Sequence, residues 1–85
     1  MSSLPTYGYV YLLREREFVN SGEEVCKVGR TQNVLKRVKQ YPKGSVLLCC
    51  IFCADPVDAE KECIALLLKH FTARKDIGSE SFEGL

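Results

Sequence analysis

Hydrophobic and polar positions fall into five segments along the chain. Tyr7 to Arg14 is rich in aromatic and β-branched residues and reads as a strand. Period-two alternation puts Tyr7, Tyr9, Tyr11 and Leu13 on one face, and Val10 and Leu12 on the other. Charged residues follow, then Asn20-Ser21-Gly22, which is turn chemistry. Glu24 to Arg30 reads as a second strand, so the pair predicts a hairpin with a long or irregular loop. Thr31 or Asn33 can cap a short helix running to about Tyr41, and Pro42 and Gly44 close it. Val46 to Cys53 is an unbroken apolar run of strand length, expected as a central strand buried on both faces or nearly so. Asp55-Pro56-Val57-Asp58 opens a second helix: Asp55 caps, Pro56 suits the first helical position and Asp58 complements the positive helix end. That helix is expected to reach about Thr72. In the tail, Ala73 to Leu85, Phe82 is expected to dock on the body.

The order β-β-α-β-α plus tail predicts an α/β (α+β) fold: a small three-stranded antiparallel sheet flanked by helices. With 85 residues there is room for one domain, 1–85, and not two. The 46 % hydrophobic content excludes disorder, and the net charge of +1 leaves bulk charge silent about partners. No run of eighteen apolar residues exists, so no membrane span is expected. Met1 to Pro5 has no basic region leading into a long apolar stretch, which argues against a secretory signal.

Cysteine usage adds to this. Cys26, Cys49, Cys50, Cys53 and Cys63 make an odd set, which argues for a reducing, intracellular compartment over a disulfide scaffold. Cys49-Cys50-x-x-Cys53 invites a zinc reading, but the group sits inside an apolar run and His70 is the only histidine. A structural zinc site needs four ligands. The other reading is that cysteine serves here as a small buried hydrophobe.

Three features place polar groups on apolar stripes. Val57, Ile64, Leu67, Leu68 and Phe71 share one side of the second helix at helical spacing, and Glu60 falls among them. A carboxylate facing a core is costly unless paired or bound to a cation. On the first helix Val34, Val38 and Tyr41 form the stripe, with Arg37 on the same side. Arg37 either pairs with Glu60 or lines a cleft that receives phosphate, which its planar fork suits. From Cys26 to Ala54 the charged residues are all basic: Lys27, Arg30, Lys36, Arg37, Lys39 and Lys43. Such a region can follow a nucleic-acid backbone, or it is simply a solvated face.

These residues fall where a known family keeps its functional groups. Tyr9-Val10-Tyr11 followed by Lys27-Val28-Gly29 resembles the paired signatures of the GIY-YIG endonuclease superfamily. Arg37 lies eight residues after Gly29 and Tyr41 four further on, which are that family's intervals; its helical glutamate corresponds to Glu60. The tail from Asp76 to Gly84 is similar to the branch of large DNA viruses and phages that includes the T5orf172 and MUG113 domains. Departures are visible too. Tyr9 stands where the family has glycine and Lys27 where it has tyrosine. The loop Glu15 to Glu23 is long, and no asparagine follows Phe71.

The resemblance implies a GIY-YIG-type endonuclease that hydrolyses phosphodiester bonds with a single divalent cation, Mg2+ or Mn2+, anchored by Glu60. It implies that Arg37 clamps the phosphate, that Tyr11 deprotonates or orients the water with help from Lys27, and that Tyr41 binds the phosphate or shares the proton transfer. Lys27, Arg30, Lys36, Arg37, Lys39 and Lys43 would follow the DNA, double-stranded by preference. A homodimer or a partner protein would supply specificity, in the cytoplasm or nucleus of a host cell. The rivals are an inactive nucleic-acid-binding module of the same fold, and a structural domain in which Arg37 and Glu60 form a buried ion pair.

Overall fold

The computed structural model describes residues 7–78 and 80–84. Readings that rest on Met1 to Pro5, Ser79 or Leu85 lie outside the described residues. The order is β1 (Gly8–Arg14), α1 (Arg16–Ser21), β2 (Val25–Thr31), α2 (Val34–Val38), β3 (Val46–Cys53), α3 (Pro56–His70), β4 (Thr72–Ala73) and β5 (Ser81–Glu83). All strand pairs are antiparallel, in the order β3-β1-β2-β5-β4. The α/β class therefore holds, with a sheet of five strands where three were expected. The two extra strands come from the tail. They are two and three residues long, too short to carry a readable alternation.

Tyr11 pairs with Gly29 and Leu13 with Lys27 across β1 and β2, so these four share one sheet face. Val10 and Val28 lie on the opposite face, where Leu67 and Phe82 complete a buried cluster. Ala59, Cys63, Ile64 and Phe71 of α3 pack against it. The helix thus turns the Glu60–Cys63–Leu67–Phe71 stripe inward, and Val57 and Leu68 of the expected stripe are exposed. That is a rotation of part of a turn, and the alternation of large residues could not fix it: Cys63 and Ala59 fill the inner face because they are small enough to lie close to the sheet. Asp55 caps α3 through a bond accepted from the Asp58 amide at 3.2 Å, with Pro56 in the first turn, as the sequence predicts. Phe82 is fully buried, so the tail is docked through it.

Two other expectations fail. The segment Glu15 to Glu23 is not an irregular loop but holds α1. Buried Phe18 anchors that helix, and Gly22, at φ 76°, closes it by donating its N–H to the Phe18 carbonyl at 3.0 Å. Nor is β3 central. It pairs only with β1 and lies at the sheet edge, with Val46, Leu48, Ile51 and Phe52 exposed. An unbroken apolar run shows that a strand lacks charge; it does not show how many neighbours the strand has. Cys49 and Cys50 are consequently exposed rather than buried, while Cys26 is buried. As neighbours on one strand, Cys49 and Cys50 point to opposite faces, which a shared zinc ion cannot bridge. α2 ends at Val38, and turns carry the chain on to Tyr41.

Candidate functional site

The cleft forms on the Tyr11 face. Tyr11 is a fully buried ring on β1, held there by strand pairing on both sides. Its phenol lies directly over Gly29 of β2, where an added Cβ would overlap the Tyr11 ring carbon and hydroxyl. Any side chain at Gly29 would therefore displace the phenol. Asn33 caps α2 by accepting from the Lys36 amide at 3.0 Å, which fixes the helix start above the sheet. The turns after α2 then deliver Tyr41 to Tyr11. The two hydroxyl oxygens lie 2.7 Å apart and the rings meet edge to face with centroids 6.3 Å apart. Lys27 stands beside them, its Nζ 5.7 Å from the Tyr41 ring centre.

Tyr11, Lys27, Gly29, Arg37, Gln40, Tyr41 and Glu80 line an open cleft of about 280 Å3. Arg37 is exposed and donates from Nη1 to the side-chain oxygen of Gln40, its neighbour in the cleft lining, at 3.0 Å. The Tyr41 phenol is pushed well above its ordinary acidity range, by burial first and then by the bond to Tyr11, with Arg37 opposing. Tyr41 therefore keeps its proton at any physiological pH and can donate it to the Tyr11 oxygen.

Glu60 lies elsewhere. It is largely buried under the opposite sheet face, and its carboxylate sits 3.7 Å from the Arg30 guanidinium. The Arg37–Glu60 ion pair weighed from the sequence is thus not formed; Arg30 faces Glu60 because Arg30 shares the Val28 side of β2. Arg30 is half-exposed, so the pair contributes little to stability. Burial, chiefly, and the charge of Glu80 raise the Glu60 pKa, while Arg30 lowers it.

Glu80 is the residue that the sequence reading missed. β5 pairs with β2 only over Val25–Lys27, which leaves Gly29–Thr31 without a neighbour on that side among the described residues. The Glu80 carbonyl accepts from the Val28 amide at 2.9 Å, just where β5 stops. This opening in the sheet lets a carboxylate from the tail reach the cleft while Glu60 approaches from the helix side. Its signal in the sequence is faint: a carboxylate two residues before Phe82, the one large apolar anchor of the tail.

Among the basic residues, Lys27 and Arg37 line the cleft, and Lys39 and Lys43 line an adjoining groove with Tyr41. Lys36 is exposed on α2. Arg30 lies apart, in a separate cavity of about 370 Å3 with Tyr7, Asp55 and Pro56, which brings together no comparable set of phenols and cations. No group of three or more His, Cys, Asp or Glu residues converges among the described residues. Nor is any of their helices long and apolar enough to cross a membrane.

Tyr11 of β1, bonded to Tyr41 from the turns after α2 and flanked by Lys27 and Arg37, sits in a domain whose family model is GIY-YIG-like and nuclease-related. The T5orf172 domain model matches residues 8–84, and the chain belongs to that family. No curated protein and no solved structure matches it.

Proposed function

We propose that this domain is a metal-dependent endonuclease that hydrolyses phosphodiester bonds of double-stranded DNA with a single Mg2+ or Mn2+. The observation that carries the reading is the 2.7 Å contact between Tyr11 and Tyr41 in a cleft that also holds Lys27 and Arg37. A structural role alone leaves unexplained why two cations border a phenol pair that lines an open cleft.

In this reading Tyr41 donates to the Tyr11 oxygen and fixes its orientation. The remaining lone pair of Tyr11 accepts a hydrogen bond from the attacking water and orients it, as the P–O bond to that water forms and the P–O bond to the leaving oxygen breaks. Lys27 adds positive charge on the same face. Arg37 holds the non-bridging phosphate oxygens in its fork and offsets the charge that grows on them. Glu60, from the helix side, and Glu80, from the cleft, are the carboxylates that would hold the cation. Mg2+ keeps most of its waters and takes one or two protein carboxylates, so it would not need a larger acidic cluster. When bound, the cation supplies Lewis-acid stabilisation of the leaving oxygen. Lys36, Lys39 and Lys43 follow the backbone outside the cleft.

Incubation with supercoiled plasmid and Mg2+ or Mn2+, beside an EDTA control, tests the proposal. Nicking by the wild type is expected to drop by about 100-fold or more in Tyr11→Phe, Arg37→Ala and Glu60→Ala, with each variant folded by circular dichroism. One observation favours the alternative, an inactive nucleic-acid-binding module: Glu60 is already occupied by Arg30 on the other side of the sheet. Salt-sensitive DNA binding without any metal-dependent nicking would decide for that alternative.

A further inference from the structure

We infer that β3 is a docking edge for a second copy of this chain, the two β3 strands pairing antiparallel to make one continuous sheet. β3 has β1 on one side and no described strand on the other. Natural edges are guarded by charges, prolines, short length or bulges. From Val46 to Cys53 this edge has no charge and no proline. Its one irregularity is a register shift opposite Leu12 and Leu13, which leaves Cys49–Cys53 in regular pairing. Ile51 and Phe52 are 62 % and 60 % exposed there, and the Tyr7 and Tyr9 rings pack on Phe52 at 5.8 and 5.5 Å, widening the apolar surface.

The flanks say which occupant fits. Exposed Lys43 precedes the strand; exposed Asp55 and Asp58 follow it. None of the three has an ion-pair partner among the described residues. Antiparallel pairing of β3 with itself sets the lysine end of one copy against the aspartate end of the other, twice. The uncharged middle then meets an uncharged middle. The opposite sheet edge is the two-residue β4, so the contact closes as a two-fold dimer and does not propagate. Because the axis runs normal to the sheet, both Tyr11 clefts open on the same side.

Sedimentation or light scattering under reducing conditions, from low to high micromolar protein, tests this without nucleic acid, so it stands or falls apart from the nuclease reading. Reduction removes any contribution from the exposed Cys49 and Cys50 thiols. A reversible, concentration-dependent dimer is expected. Ile51→Lys, at a position open enough to tolerate it, should raise the dimer Kd by about tenfold or more. Lys43→Glu should weaken the dimer, and Lys43→Glu combined with Asp58→Lys should restore it. A monomer at every concentration, a dimer indifferent to Ile51→Lys, or a double variant no tighter than Lys43→Glu would each overturn the inference.

Discussion

Glu60 ties the stability of the fold to pH. Burial and the nearby Glu80 charge raise its pKa, so the folded chain binds that proton more tightly than the unfolded chain does. The contribution to stability is then full below the unfolded carboxylate pKa, and it is lost as pH rises through the folded value. Without divalent cation, the melting temperature of the wild type relative to Glu60→Gln should fall as pH is raised from about 4 to 7. A flat difference across that range would mean that Glu60 is as well solvated folded as unfolded. Addition of Mg2+ at the upper end should recover stability in the wild type and not in Glu60→Gln, since a cation relieves only a charged pair. Gly29 illustrates the reverse, a residue important for what it lacks: the Tyr11 phenol occupies the space a side chain would need.

Among the elements, β5 does the most with the fewest residues. Its three positions hold Phe82 in the core and, through strand pairing, set Glu80 beside the cleft. Arg74 reinforces the turn before it, binding Asp76 at 2.9 Å and Glu83 at 3.2 Å. Phe82→Ala should cost about 3–5 kcal/mol, as for other buried aromatic truncations. For a domain of this size that approaches the whole folding free energy. Urea unfolding that shows a loss under about 1 kcal/mol would mean that the tail is not part of the core. The tail was also the part least legible beforehand. Phe82 stood out as an anchor because it is large and apolar, but nothing in Glu80-Ser81-Phe82 gave strand pairing or a partner. β1, β2 and the start of α3 were readable, since alternation and the Asp55-Pro56 cap are local signals. The edge position of β3, the six-residue α1 and the rotation of α3 were not, because each depends on which neighbours pack against it in the folded chain. Tyr11, Lys27 and Tyr41 came from the family resemblance, and Arg37 from its place on a helix stripe as well, and these four share a cleft; Glu60, also found on a helix stripe, lies across the sheet from them.

Over the whole molecule, a net charge of +1 hides an uneven distribution. Lys27, Arg37, Lys39 and Lys43 border the cleft and its adjoining groove, whereas Arg30 is matched by Glu60 and Arg74 by Asp76 and Glu83. Binding of short duplex DNA should therefore weaken steeply with salt despite the near-neutral total. Lys39→Ala should lower affinity alike for all sequences and reduce the log–log salt slope by about one, while Lys75→Ala, in the tail turn, should leave it unchanged. Equal effects from the two lysines, read by fluorescence anisotropy across a salt series, would mean that the charge near the cleft is a solvated surface and no track for DNA.

The aromatic residues also make the protein its own optical probe. It contains no tryptophan, so its ultraviolet emission belongs to four tyrosines. Tyr11 and Tyr41 are bonded to each other in the cleft, and Tyr7 and Tyr9 rest on Phe52 at the outer strand. The native light signal is thus divided between the cleft and the β3 edge. A Tyr41→Phe variant leaves Tyr11 as the one emitter of the first pair, and a Phe52→Ala variant removes the ring on which the second pair rests. Titration with an anion or with the protein itself can then be followed at either surface without attaching a dye.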